Sequence, residues 1–390
     1  MNSIKRIMTA ALMLTSIGAM AQNITFRAGE SILLYDHRYY NELFGPKSPR
    51  IPSFNLKLGW QDDGSSPYAS ICNYPEYGIA FNVDCLGTAT AANGPGVGSL
   101  YSVYGFFDRP IFTVRDFSLC YTAGLGIGCC FNNLYDSLEN PWNIMISFPV
   151  NAHITLGLQT KTTISDKYMA GVGVFFNHYS NGAVNFQNKG YNGFEFGLSV
   201  GMKDFTGKQK QAGRESAGGM EPSLKDDGFR KGFVYDIHAS AGVMSVEAVF
   251  DNTLAQTGVG QNIRKLKYSL HGDVLYKYCR THASGIGVDL FVTPFCDLIA
   301  ENDNKGRTYE PVSLGVCALH ELNYRNLTAM VGLGRYLYDN DGLAHGKKLY
   351  QMVNIRYHLN QYEGLYAGIV LKAHKFMAAE SIQLCLGHRF

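Results

Sequence analysis

The chain has 390 residues, with 34 Lys and Arg against 32 Asp and Glu, for a net charge of +2. That balance, without a long basic run, excludes nucleic acid as a partner. Charged residues are only 17% of the chain, below the roughly 25% of soluble domains, while 25 Tyr, 23 Phe and 43 Gly suit strands with one lipid-facing side.

The amino terminus reads as an export signal. Lys5 and Arg6 precede a short apolar run from Ile7 to Ala19, and Ala19-Met20-Ala21 is a small-x-small cleavage site. Residues 1–21 are therefore expected to be removed, leaving Gln22 first. No other continuous apolar stretch reaches the length of a membrane-spanning helix.

Past the signal, the pattern has a period of two. Phe54, Leu56, Leu58 and Trp60 alternate with Asn55, Lys57, Gly59 and Gln61. Strand-like segments follow near 77–86, 98–106, 117–128, 144–157, 168–181 and 192–203. Residues 204–232 are polar and lack an apolar period, which marks a linker or long loop. Beyond it lie segments near 231–250, 264–278, 283–294, 310–321, 324–337, 348–358, 363–373 and 379–390. In one of these Leu266, Tyr268, Leu270, Val274 and Tyr276 alternate with polar residues that include Lys267, His271 and Asp273. Charges on the second face suit a polar barrel interior. The last strand alternates Ile382, Leu384 and Leu386 with Ser381, Gln383 and Cys385 and ends at Phe390, like the closing strand of bacterial outer-membrane barrels.

The expected fold is all-β: a transmembrane antiparallel β-barrel of about 14–16 strands in one barrel, with two tandem eight-stranded barrels as the alternative. The expected layout is a signal (1–21), a first barrel half (22–204), a linker (205–232) and a second half (233–390). The expected location is the outer membrane of a Gram-negative cell. The interior positions Lys57, Lys267 and Asp273 would also suit a channel. The run Tyr168-Met169-Ala170-Gly171-Val172 echoes Tyr366-Ala367-Gly368-Ile369-Val370, which suggests duplication. The nine cysteines are odd in number and form no C-x-x-C, which supports neither a disulfide framework nor a metal site. No cofactor motif occurs.

One segment carries chemistry. His178 and Ser180 stand two apart, so a strand points them to one face, and they share parity with Val172, Val174 and Phe176 on the lipid side. Asn192 shares parity with Phe194 and Phe196 on the next strand, whereas Glu195 belongs to the interior. A hairpin through 182–191 would return Asn192 beside His178. A hydroxyl nucleophile needs a base within reach and a third group to orient that base. Ser180, His178 and Asn192 can fill these roles, with Asn181 near an oxyanion.

The run His178-Tyr179-Ser180-Asn181-Gly182-Ala183 followed by Asn188-Lys189-Gly190-Tyr191-Asn192 resembles the active-site motif of the PagL-type lipid A deacylases, an acyloxyacyl-hydrolase-like outer-membrane family. The resemblance covers roughly residues 50–204. It implies removal of an ester-linked acyl chain from lipid A, the membrane anchor of lipopolysaccharide, in the outer leaflet. It implies Ser180 as nucleophile, His178 as base, Asn181 at the oxyanion, and Asn188 and Gly190 in the motif loop. Asn192 falls where the family usually has a glutamate, and family members are small eight-stranded barrels. In the second half the matching place reads His374-Lys375-Phe376, with no serine. A non-enzymatic outer-membrane barrel, a porin or a lipid-binding protein with a degenerate motif, is the alternative.

Overall fold

The computed structural model describes residues 21–34, 37–45, 48–185, 187–203, 229–245, 263–302, 306–343, 348–359, 363–375 and 378–390. The expected signal segment, apart from Ala21, and residues 204–228 of the expected linker lie outside these.

The described residues form sixteen antiparallel strands in two closed barrels. The first holds β1 (Asn23–Leu33), β2 (Arg50–Gln61), β3 (Glu76–Asp84), β4 (Leu100–Val114), β5 (Phe117–Cys130), β6 (Val150–Thr163), β7 (Tyr168–Ser180) and β8 (Tyr191–Met202). The second holds β9 (Gly232–Ser245), β10 (Arg264–Lys277), β11 (His282–Val292), β12 (Val312–Tyr324), β13 (Leu327–Asp339), β14 (Leu349–His358), β15 (Leu365–His374) and β16 (Ala378–Arg389). By contact the chain divides into two units, Met1–Ser180 with Gly190–Leu224, and Asn181–Lys189 with Lys225–Phe390.

The all-β class stands, and of the two expected closures the tandem one is found. The single large barrel gives way because β1 pairs with β8 along Ile24↔Met202 to Leu33↔Gly193. Likewise β16 pairs with β9 along Leu384↔Ala241 to Arg389↔Asp236. Strand β1 escapes the sequence pattern because Gly29-Glu30-Ser31 interrupts its alternation. Its first half nevertheless alternates, with Asn23, Thr25 and Arg27 buried and Phe26 exposed. With it the first sheet has eight strands and leaves no edge in lipid.

The outer faces are apolar. Val172, Phe196, Leu198 and Val200 project outward from the first barrel, and Leu266, Tyr268, Leu270 and Leu384 from the second. Closed antiparallel barrels with an apolar outside and a polar inside are the outer-membrane form.

The interiors are full, as the bore of an eight-stranded barrel allows. In the first, Arg27 grips Glu195 with two bonds of 2.7 and 2.9 Å. Lys57 binds Asp108 at 2.8 Å, and Lys161 bridges Glu76 at 2.6 Å and Asp108 at 2.9 Å. In the second, Lys267 pairs with Glu380, and Arg356 meets Asp236 at 2.9 Å. Asp273 contacts His271 at 3.0 Å. Lys57, Lys267 and Asp273 therefore do not line a channel: each is neutralised by a buried partner, because an isolated charge there would be costly.

In both barrels most of the long connections lie at one end. In the first they span 34–49, 85–99, 131–149 and 181–190; the other end carries the two-residue turn Arg115-Asp116, the short 164–167 and one longer connection, 62–75, that holds the helix Pro67–Ile71. An apolar cluster of Leu33, Leu43, Ile51, Leu86, Leu100, Met145, Ile146, Tyr179 and Tyr191 packs at this long-loop end. In outer-membrane barrels the long-loop end faces outward.

The sequence echo between Tyr168 and Tyr366 falls on the seventh strand of each barrel, yet on opposite faces. Tyr168 is exposed, whereas Tyr366 is fully buried.

Candidate active site

The site is built where β7 and β8 reach the long-loop end. They are antiparallel neighbours, with Val172 opposite Leu198 and His178 directly opposite Asn192. This is the register that the shared apolar parity demands. Below them on the outer face Phe176 lies 5.7 Å from Phe194 and stacks under His178 at 6.4 Å.

His178 Nδ1 and Asn192 Oδ1 lie 2.7 Å apart. The amide oxygen can only accept, so Nδ1 carries the proton and Nε2 is left with its lone pair. That is the tautomer a general base requires. Ser180 follows two residues along the same face, at the last position of β7, and is buried.

The inner face holds this geometry in place. Tyr179 and Tyr191 are opposite partners, both fully buried, with ring centroids 5.6 Å apart. Tyr179 stacks on His153 at 4.2 Å, and its hydroxyl accepts from Asn82 at 3.2 Å. Alternation thus puts rigid aromatics inside and the polar groups outside on one stretch of chain. The tyrosines lie within the motif, but their supporting role is invisible without the barrel's inner partners.

Gly190 explains its place in the motif. Its φ is +74°, and a Cβ there would lie 2.8 Å from the Tyr179 carbonyl oxygen and 3.2 Å from His178 Cε1. Only glycine lets the chain return this close to the imidazole. Its N–H donates to the Met145 carbonyl at 3.1 Å.

The other motif residues turn into their loop. The Asn181 backbone N–H donates to Asn188 Oδ1 at 3.2 Å, and Asn181 Nδ2 donates to the Asn185 carbonyl at 3.2 Å. Asn188 thus clamps the loop, and Asn181 uses donors for loop structure that the sequence reading reserved for an oxyanion. Glu195 lies inside, bound by Arg27 and by Asn177 at 3.0 Å, so it cannot serve His178. Among the described residues the second barrel shows no counterpart. His374 faces its interior, near the Tyr336 hydroxyl at 3.1 Å.

Comparison with known proteins finds a family match over the second barrel and not over the residues of this site. Residues 233–390 match the family model PagL_C, described as acyloxyacyl hydrolase, C-terminal domain. No curated protein matches the chain. Among solved structures, neisserial surface protein A (NspA) is 10% identical with a TM-score of 0.30, over 46% of this chain and 96% of its own. The outer membrane enzyme PagL is 14% identical with a TM-score of 0.28, over 45% of this chain and 97% of its own. A mutant of the Rh. blastica porin is 6% identical with a TM-score of 0.17, over 94% of this chain and 99% of its own. Over residues 233–390, its second barrel, the chain is similar to the acyloxyacyl hydrolase C-terminal domain, which makes it PagL-like.

Proposed function

We propose that this protein is an outer-membrane serine esterase that removes an ester-linked acyl chain from lipid A. The carrying observation is the 2.7 Å pairing of His178 Nδ1 with Asn192 Oδ1 on the lipid side, with Ser180 on the same face. A polar trio is costly on a lipid-facing surface at depth and cheap near the interface. The long-loop end is where an outer-leaflet lipid presents its ester bonds.

In this reading His178 Nε2 takes the Ser180 hydroxyl proton as Oγ attacks the ester carbonyl. The tetrahedral oxyanion requires N–H donors beside Ser180, and Asn181 can supply them only when its bonds to Asn188 and Asn185 are exchanged for the substrate oxygen. Collapse expels the sugar-side alkoxide, which takes the proton back from His178. Water, activated by the same imidazole, then frees the fatty acid from Ser180. Asn192 holds the ring in its tautomer throughout. The first barrel is proposed as the catalytic domain and the second as its partner domain. The proposed substrate is lipopolysaccharide, and the proposed signal at 1–21 delivers the chain to the outer membrane.

A second reading keeps the barrel without the reaction. It is favoured by the amide at Asn192, which orients an imidazole but supplies no charge to an imidazolium. A lipid-binding barrel fits that reading better than a porin, given the ion-paired interiors. Mass spectrometry of lipid A from cells with and without the protein tests both. Lipid A short of one acyl chain, dependent on Ser180, supports the esterase. Unaltered lipid A, with the protein folded in the outer membrane, supports the second reading.

A further inference from the structure

Three residues on three adjacent strands converge inside the second barrel. His271 on β10 is the cross-strand partner of Asp289 on β11, and Cys317 on β12 pairs with Gly287, two residues before Asp289. All three are buried. One nitrogen, one oxygen and one sulfur from them lie within 4.8 Å of one another. We propose that His271, Asp289 and Cys317 bind a divalent zinc-like metal ion.

The donor set is one nitrogen, one carboxylate oxygen and one thiolate, which zinc takes at about 2.0–2.3 Å. At such bond lengths the ligand atoms stand roughly 3.5 Å apart, so modest side-chain rotations bring these three to a tetrahedron. Water or the second Asp289 oxygen completes it. On binding, Cys317 gives its thiol proton to solvent, because only the thiolate ligates.

The surroundings are those of a ligand shell. His271 Nδ1 faces Asp289 Oδ1 at 2.7 Å, while Nε2 faces Asp273 Oδ2 at 3.0 Å. With Nδ1 on the metal, Nε2–H donates to Asp273, which is how ligating histidines are normally oriented. The second Asp289 oxygen accepts from the Tyr350 hydroxyl, which fixes the carboxylate. A neutral imidazole could serve only one of its two carboxylates as donor. Arg356 Nη2 lies 3.5 Å from Asp273 Oδ2, so a neutral, metal-bound His271 does not leave that buried carboxylate without a cation. Finally, a Cβ at Gly287 would meet His271 Cε1 at 2.7 Å and Cys317 Sγ at 3.1 Å. The missing side chain keeps the space between two of the ligands clear.

The test uses the full-length protein folded in detergent, loaded with cobalt(II) or zinc and dialysed. One metal ion per chain is expected, with a thiolate-to-cobalt charge-transfer band that zinc abolishes. Cys317→Ala should remove the band, and His271→Gln should lower bound metal at least tenfold. Cys120→Ala, a buried thiol of the other barrel, should change neither. Heat-modifiable gel mobility reports that each variant is folded, and the wild-type band stands as evidence even if a variant is not. Folded wild type without the band, or metal retained by both ligand variants, overturns the proposal in favour of an imidazolium held between two carboxylates.

Discussion

The contact between His178 and Asn192 makes a quantitative demand. In a half-buried setting of effective dielectric about 20, an imidazolium and a carboxylate roughly 4 Å apart attract by about 4 kcal/mol. A neutral amide at the same place contributes only its hydrogen bond, about 1 kcal/mol net. The difference of about 3 kcal/mol corresponds to about a hundredfold in rate. Asn192→Asp keeps the reach that places Oδ1 at 2.7 Å, and Asn192→Glu restores the residue the resemblance leads one to expect. Either should keep or raise turnover, with about a hundredfold as the ceiling, because part of the gain offsets desolvation of the new carboxylate. Asn192→Ala removes the acceptor that selects the tautomer and should lose about 10- to 1000-fold. The assay is fatty-acid release from lipid A in mixed micelles, on barrels verified by heat-modifiable mobility. If Asn192→Ala turns over like the wild type, the imidazole needs no orienting partner and the triad reading is refuted.

Other consequences can be measured on the same preparations. Ser180→Ala should abolish release and leave gel mobility unchanged, and release that persists would remove Ser180 as the nucleophile. Gly190→Ala places a side chain at φ +74° and 3.2 Å from His178 Cε1; strain of about 1–2 kcal/mol, transmitted to the imidazole, should cut turnover at least tenfold while the barrel still folds. Glu195→Ala leaves Arg27 buried without its bidentate partner, a loss of about 3–5 kcal/mol. The unfolding transition followed by gel mobility should fall accordingly, and Arg27→Met combined with Glu195→Leu should recover much of it.

Much of the architecture was legible because lipid enforces a strict rule. One face of each strand must be apolar, so Val172, Phe196 and Leu266 announce their outward direction through period alone. The same parity placed Glu195 inside and His178 with Asn192 outside, before any coordinates. What stayed hidden depends on closure. The hydrogen bonds from β1 to β8 have no local signature, and Gly29-Glu30-Ser31 masks the strand that makes them. Without that strand the sequence favoured one large barrel. The echo between Tyr168 and Tyr366 depends on closure too: the same residue order stands on opposite faces and makes a different surface. The cluster of His271, Asp289 and Cys317 was illegible because its members are scattered over three strands. Only the barrel's register brings them together, while cysteine spacing argued against any metal.

The ion pairs that fill both barrels also fix how the protein meets an electric field. Arg27, Lys57 and Lys161 are locked to Glu195, Asp108 and Glu76 in the first barrel, and Lys267 and Arg356 to Glu380 and Asp236 in the second, so fixed ion pairs cross each bore. Charges so tethered cannot drift, and a hydrated ion would have to break several of them to pass. In a planar bilayer the protein should therefore be electrically silent. A cell could carry many copies in its outer membrane without becoming leakier to salts, nutrients or drugs.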